Sequence, residues 1–140
     1  MAFLPLHGAR RRSTLRHLVT ACLLIAGLIH LLPLSGVLGA ERLAALYGLA
    51  VDEPNLQILM RHRAVLFGIV GALLVAAVFD QSLRLAAFVA GGVSVLSFLA
   101  LAWQLGPPNA HLARVVLADW VALAALLLGA AAQALLPVRP

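Results

Sequence analysis

Four long apolar stretches occupy most of this chain of 140 residues, and they restrict its fold more than any other feature. A bilayer core about 30 Å thick is crossed by about 20 helical residues, and each stretch, or the helix containing it, reaches that length. With 64% hydrophobic and 11% charged residues, the chain has too little polar surface for a soluble globule of this size. The sequence therefore predicts an all-α, integral membrane four-helix bundle running up and down, with spans at about residues 15–34, 56–79, 83–105 and 113–136.

The arginines predict the orientation of the spans. All ten Lys and Arg residues are arginines, and four of them precede the first span: Arg10, Arg11, Arg12 and Arg16. Basic residues beside span ends stay on the cytoplasmic side, so we predict a multi-pass membrane protein with both termini in the cytoplasm. Residues 1–14 then form a basic tail, and residues 15–140 form one membrane domain. No basic groove lined by aromatic residues accompanies the cluster, so the predicted partner is the lipid bilayer and not a nucleic acid.

The same segment allows a second interpretation, as a cleaved export signal. Arg11 and Arg12 precede an apolar run, and residues 37–39 could pass for a cleavage site. Thr14 stands where such signals have a hydrophobic residue, and three more spans follow. We therefore favour a retained membrane helix.

The segments between the spans contain clear helix signals. Residues 40–48 fit a short amphipathic helix that ends at Gly48 and rests in the outer interface as a lid, with Glu41 and Tyr47 among its residues. The acidic residues before Pro54 predict a helix from about Pro54 to Phe79. Residues 80–82 predict a tight turn, and Asn109 predicts the cap of the last helix.

Three ionisable residues share one depth in the predicted bundle. At 1.5 Å per residue, His30, Arg63 and Asp119 all lie roughly 22 to 25 Å above the inner ends of their spans. A charge facing lipid at that depth is costly, so these side chains should turn inward and pair. We predict that Asp119 pairs with Arg61 or Arg63, with His30 as the alternative.

Further residues fit a polar chamber at this level, in the outer-leaflet half of the membrane. Ser97 and Gln104 fall on one face of the third span with Ser94. Pro33 cannot donate a hydrogen bond to the Ile29 carbonyl, which leaves an acceptor free beside His30. Two less specific interpretations stay open: a buried ion pair that only fixes helix register, and arginines that extend to the lipid headgroups.

Metal or haem chemistry receives little support from the spacing. No helix carries two histidines four apart, and no cluster has metal-ligand spacing, so we predict no metal site. Haem held between His30 and His62 is geometrically open. The single cysteine, Cys22, cannot form an internal disulfide.

A stripe of small residues follows one face of the second span. Ala64, Gly68, Ala72 and Ala76 recur every four residues, so another backbone can approach this face closely. The stripe predicts close packing within the bundle. Its alternative role is contact with a membrane partner or with a second copy of the chain.

Three segments resemble those of a family of small four-span inner-membrane proteins of proteobacteria: residues 28–39, 46–48 and 55–68, which read LIHLLPLSGVLG, LYG and NLQILMRHRAVLFG. The resemblance covers the chain from about residue 15 onward and implies a location in a bacterial inner membrane. Family members are often labelled phosphopantetheine adenylyltransferase, a soluble α/β nucleotide-binding enzyme with a histidine-rich phosphate motif at a helix start. Here the one His-Gly pair, His7-Gly8, lies in the polar tail, so we expect no adenylyltransferase activity. The layout is also similar in size to DoxX-like proteins, some of which are linked to quinone-dependent sulfur oxidation, although no residue is carried over from them.

The sequence supports two main classes of function. In the first, the chamber binds a small amphiphile, quinone-like or lipid-like, with Arg61 or Arg63 holding an oxygen atom and with Asp119 and His30 orienting it. In the second, the protein is a structural or accessory subunit whose polar layer only fixes helix packing. A membrane oxidoreductase or haem-binding subunit is a third class. We favour binding and predict no catalytic residue, because no nucleophile with an adjacent base can be assigned.

Overall fold

The computed structural model of the chain describes residues 6–136, with side chains from residue 10 onward, and that part of the chain contains no β-strand. Its helices are α1 (Leu6–Leu31), α2 (Ala40–Tyr47), α3 (Pro54–Phe79), α4 (Arg84–Leu105) and α5 (Ala110–Ala134). Short 3-10 helices lie at Leu32–Leu38 and Gln81–Leu83. Four segments are long and apolar enough to cross a membrane: Arg10–Leu38, Pro54–Phe79, Gln81–Leu105 and Ala110–Ala134. The predicted all-α four-helix membrane bundle is confirmed.

The four long helices form a square in which α1 and α4 occupy opposite corners. Helix α1 packs closely against α3 and α5, while α4 contacts the same two helices less extensively. Only 17% of the apolar window of α4 is buried, against 33% in α1 and in α5. Helix α4 is therefore the peripheral member of the bundle.

The helix ends follow local chemistry, as the sequence predicts. Pro33 follows the last turn of α1 and begins the 3-10 helix, and Gly48 ends α2 in the left-handed conformation, with φ 65°. The Glu53 carboxylate accepts hydrogen bonds from the backbone N–H groups of Asn55 and Leu56 and so caps α3. These contacts confirm the predicted starts and ends of α2 and α3.

The two remaining connections are also capped by side chains. The Asn109 side chain accepts from the backbone N–H of Leu112 at 2.8 Å and caps α5. At the opposite end of the bundle, Asp80 accepts from the backbone N–H and the hydroxyl of Ser82. The predicted tight turn and the predicted cap of the last helix are both present.

Helix α1 begins earlier than the apolar run alone predicts. It starts at Leu6, so most of the predicted tail at residues 1–14 is helical, and the four arginines of the cluster are exposed on it. Arginine has a high helix propensity, which lets the helix continue beyond the apolar residues. The hydroxyl of Thr14 donates to the Arg10 carbonyl within this extension.

Small residues let α1 and α3 cross closely. A Cβ atom added to Gly71 would lie 3.0 Å from the carbonyl oxygen of Gly27, so neither position has room for a side chain. The predicted stripe of small residues on α3 is only partly covered by the packing of the bundle. Ala64 and Gly68 are buried within the chain, and Ala72 is exposed. A partner helix could reach only Ala72 and the half-buried Ala76.

The outer surface of the bundle is apolar. Phe79, Leu85, Trp103 and Leu105 each expose more than three quarters of their area: 84%, 76%, 90% and 86%. A soluble monomer does not expose this many large apolar side chains together, whereas a lipid environment covers them. The chain is therefore a small multi-pass membrane protein.

Helix α2 closes one end of the bundle. Its Leu43 and Tyr47, together with Val51, form a second buried cluster that packs against Leu46, Met60, Leu112 and Val115. We refer to this end as the α2 end. The lid predicted over one end of the bundle is thus present as a packed helix.

Candidate functional site

A cavity of about 280 Å³, here called the chamber, lies beneath α2 and between α1, α3 and α5. Its apolar lining includes Ile29, Phe67 and Val115. Its polar or ionisable lining residues are His30, Tyr47, Arg63, His111, Arg114 and Asp119. The chamber therefore combines apolar walls with a few convergent polar groups, which is typical of small-molecule sites.

His30 contributes a buried nitrogen that has no partner. Its side chain is 2% exposed, and Nδ1 lies 2.8 Å from the carbonyl oxygen of Ala26, one turn earlier on α1. Within the described chain, Nε2 of His30 is the one fully buried side-chain nitrogen or oxygen atom without a hydrogen bond. Such a group destabilises the fold unless something else pairs with it.

Arg63 lies among three aromatic rings. Its guanidinium carbon is 5.4 Å from the ring centre of Tyr47, 5.0 Å from that of Phe67 and 5.6 Å from that of Phe98. These distances fit cation–π interactions, and the rings come from α2, α3 and α4. The cage was not predicted, although Phe67 stands four residues after Arg63 and so shares its helix face.

Asp119 is buried on α5, as predicted, but the predicted ion pair is absent. The side chain is 7% exposed and lines the chamber with Arg63 and His30. Among the described residues, no Arg or His nitrogen comes within 4.0 Å of its carboxylate. Arg63 still acts on Asp119 through its charge. The prediction of direct pairing was wrong because the guanidinium of Arg63 lies among the aromatic rings and not against the carboxylate.

Tyr47 connects the lid to the polar groups of the chamber. The phenol is 3% exposed, and burial raises its pKa above the ordinary value. Arg63 opposes this rise and Asp119 adds to it, so both charges act on the phenol. Tyr47 therefore stays protonated near neutral pH and keeps an O–H donor. Of the two predicted lid residues, Tyr47 lines the chamber, whereas Glu41 is exposed on α2.

Three of the predicted site residues lie outside the chamber lining. Arg61 is exposed, and its Nε donates to the Val37 carbonyl at 3.0 Å, which ties α3 to the 3-10 helix. Gln104 is exposed near the end of α4, and Ser97 is exposed with its hydroxyl donating to the Ser94 carbonyl. Helix α4 stands at the corner opposite α1 and contributes no residue to the chamber lining, so Ser97 and Gln104 stay predictions as ligand-binding residues.

Two chamber residues on α5 were missed. His111 lies near the lid, with Nδ1 3.1 Å from the Ala45 carbonyl, and Arg114 is the next polar residue on the same face. With Val115, Ala118 and Asp119 they stand at i, i+3, i+4, i+7 and i+8, which is the spacing of a single helix face. That spacing could have identified them from the sequence. Asn109 reinforces the contact between α5 and α2 by donating to the Tyr47 carbonyl at 2.9 Å.

A second cavity of about 570 Å³, here called the groove, lies between α3 and α4. Its walls are mostly apolar and include Leu66, Val70 and Leu101, while Ser94 and Ser97 add hydroxyl groups. Arg63 and Phe67 line both the groove and the chamber. The two cavities therefore adjoin at these two side chains.

The structure shows the surroundings of the histidines that the haem and metal hypotheses involve. His62 is exposed on α3 and is not part of the chamber lining, so the structure does not place His30 and His62 on one cavity. Within residues 6–136, no group of three or more His, Cys, Asp or Glu side chains is arranged to hold a metal ion. The hydrogen-bonding groups of the chamber suit an organic head group better than a coordination sphere.

No protein-family model, no curated protein and no solved structure matches this chain. Function is therefore inferred from the chamber and the groove themselves.

Proposed function

We propose that this membrane protein binds a small amphiphile, quinone-like or lipid-like, with its polar head group in the chamber. The observation that carries the proposal is a fully buried acceptor without a partner in the described chain, Nε2 of His30, in a side chain that lines one cavity of about 280 Å³ together with the buried Asp119. Leaving a buried polar group unpaired costs about 1 to 3 kcal/mol, and more for a charge. A bound head group would offset that cost.

The tail of the ligand would lie in the groove. The groove is larger than the chamber, is walled mainly by apolar side chains, and flanks the least buried helix of the bundle. Its wall of Arg63 and Phe67 is the boundary of the chamber as well. A molecule with a polar end and an apolar end matches this arrangement, whereas a fully polar metabolite would leave the groove without a role.

Arg63 is the residue that we expect to bind an oxygen atom of the head group. None of its N–H groups donates a hydrogen bond within residues 10–136, so its donors are available to the ligand. The aromatic cage limits the positions of the guanidinium without using those donors. Arg61 is excluded from this role because it already binds Val37 outside the chamber.

We place the chamber in the outer-leaflet half of a bacterial inner membrane. The arginine cluster of α1 lies at the end of the bundle opposite α2, and basic residues favour the cytoplasmic side. A ligand dissolved in the bilayer would then enter between α3 and α4.

A structural role for the polar layer is the second candidate. Arg63 contacts rings from three helices, and this cage could hold α2, α3 and α4 together without any ligand. The two functions differ in what they require of the cavity, since only binding needs the space to be open.

Filling the chamber separates the two candidates. Ala118 lines the chamber, so Ala118→Leu should displace a head group, whereas Ala124→Leu on the exposed side of α5 is the matched control. The proteins would be extracted with their native lipids, and bound small molecules identified by mass spectrometry. We expect Ala118→Leu to lose a molecule that the natural chain and Ala124→Leu both retain. The same molecules at the same occupancy in all three proteins would leave the polar layer with a structural role.

A further inference from the structure

The hydrogen bond of His30 to Ala26 determines which ring nitrogen carries the proton. A backbone carbonyl oxygen only accepts hydrogen bonds, so Nδ1 at 2.8 Å from it must be the N–H donor. In the neutral imidazole the other nitrogen, Nε2, then carries a lone pair and can only accept. Because Ala26 is fully buried in the packed core of α1, the ring cannot exchange this contact for another without losing a buried bond.

Nε2 of His30 therefore requires a donor, and no donor reaches it within the described chain. Resting on the proposed function, we propose that the ligand donates a hydrogen bond from a hydroxyl group to Nε2 of His30. The chamber would then select amphiphiles with a hydroxyl head group, such as a hydroquinone or an alcohol, over those whose oxygens only accept.

Asp119 strengthens the same preference. Its carboxylate accepts hydrogen bonds and faces the chamber without a donor from residues 10–136, so the ligand meets two acceptors. Arg63 and Tyr47 supply donors on the same lining. A head group with carbonyl oxygens alone could bind these donors, but it would leave Nε2 of His30 and Asp119 unpaired. A hydroxyl group both donates and accepts, so it can satisfy both kinds of lining residue.

Four compounds with ten-carbon chains test this selectivity in lipid nanodiscs. Decylhydroquinone and monodecanoylglycerol carry hydroxyl donors on different head groups, while decylhydroquinone dimethyl ether and decylbenzoquinone carry only acceptors. Apparent Kd values would be obtained from ligand-dependent thermal stabilisation, under argon and with the hydroquinone kept reduced. We expect decylhydroquinone to bind about tenfold more tightly than its dimethyl ether, a difference typical of one buried hydrogen bond. The affinity of monodecanoylglycerol relative to decylhydroquinone shows whether the natural source is an alcohol lipid or an aromatic diol.

His30→Leu removes the acceptor, and His62→Leu, at an exposed site, is the matched control. We expect the preference for hydroxyl compounds to fall to about threefold or less in His30→Leu and to be unchanged in His62→Leu. Equal affinity for decylhydroquinone and its dimethyl ether in the natural chain would overturn the hydroxyl inference while leaving amphiphile binding in place. Absence of binding by all four compounds, together with no co-purified molecule, would overturn both proposals. If His30→Leu does not fold, the ranking of the four compounds on the natural chain still decides the inference.

Discussion

The two ends of the bundle bury polar side chains in opposite ways. At the end with the Asp80 turn, Arg84 is 6% exposed and has fixed partners: its Nε donates to the Ala77 carbonyl at 3.2 Å, and its Nη1 donates to Oε1 of Gln133 at 2.7 Å. One side chain thereby joins α4 to α3 and α5. At the α2 end, His30 and Asp119 are as deeply buried, but each leaves an acceptor unpaired within the described chain.

The difference distinguishes a polar group whose hydrogen bonds stabilise the fold from one that is available to a ligand. The donors of Arg84 meet neutral acceptors, and Arg84 lines neither the chamber nor the groove. Its hydrogen bonds are part of the fold. At the α2 end His30 and Asp119 line a cavity, so the same burial there creates a site that a ligand can complete.

Arg84→Met should destabilise the bundle strongly. The change removes both interhelical hydrogen bonds and leaves the acceptors of the buried Ala77 and the half-buried Gln133 without their donor, so we expect the free energy of unfolding to fall by about 2 to 4 kcal/mol. Reversible unfolding in mixed micelles would measure it. Arg42→Met, at an exposed site on α2, is the control and should change stability by less than about 0.5 kcal/mol. A loss for Arg84→Met no larger than for the control would show that the end with the Asp80 turn does not depend on this residue.

Arg63→Met should have a smaller effect on stability. It removes three cation–π contacts but no hydrogen bond in the described chain, so we expect a loss of about 1 to 2 kcal/mol. Arg61→Met, two residues earlier, breaks one exposed hydrogen bond and should cost less than about 1 kcal/mol. The same unfolding measurement applies to both. A larger loss for Arg61→Met would indicate that Arg61 and not Arg63 supports the α2 end.

Asp119→Asn should leave stability unchanged or raise it by up to about 1 kcal/mol, because it removes a buried charge that has no direct partner. The co-purified molecule should nevertheless be lost, which native mass spectrometry would detect.

Gln133→Ala provides the contrast at the other end of the bundle. It removes an acceptor of Arg84 and should cost about 1 to 3 kcal/mol. A comparable loss of stability for Asp119→Asn would mean that both ends use their polar groups structurally.

The smallest expected effect on stability comes from two exposed carboxylates, Glu53 and Asp80, which lie at opposite ends of the bundle. Hydrogen bonds from the N–H groups of Asn55 and Leu56 lower the pKa of Glu53, and those from the hydroxyl and N–H of Ser82 lower the pKa of Asp80. A lowered pKa in the folded state means that the contribution to stability is complete above the ordinary values of 4.5 and 3.8, and is lost as the pH falls through the lowered values.

A pH series of thermal unfolding would measure this loss. The natural chain should lose Tm at acid pH, and the double change Glu53→Gln with Asp80→Asn should flatten that part of the curve. Each single change shows how much one end contributes. An unchanged acid slope in the double variant would assign the loss to other groups.

The helices and their ends were largely predictable because the signals are local. A proline after the last turn of α1, a left-handed glycine after α2 and side-chain caps at Glu53 and Asn109 each act within a few residues of the helix end. The start of α1 was the exception. Hydropathy marks where a helix enters the membrane, and α1 continues as a helix beyond that point to Leu6.

The site was predictable in part. Depth along each helix follows from counting residues, and the three residues predicted at one level, His30, Arg63 and Asp119, line one cavity. The depth of a residue does not specify which side of the helix its side chain faces. Arg61 and Arg63 stand at nearly the same level but point to opposite sides of α3, and Ser97 faces the groove while Gln104 is exposed outside both cavities.

The sequence by itself determined that the protein lies in a membrane, and it determined the four spans, the helix caps and the depth of the polar layer along the helices. Each of these features depends on composition or on residues within a few positions of one another. The tertiary structure alone decided which arginine enters the chamber, that the guanidinium lies among aromatic rings away from Asp119, and that Nε2 of His30 has no partner. These features depend on the rotation of each helix about its axis. That rotation is set by close contacts between distant residues, such as the crossing of Gly27 and Gly71.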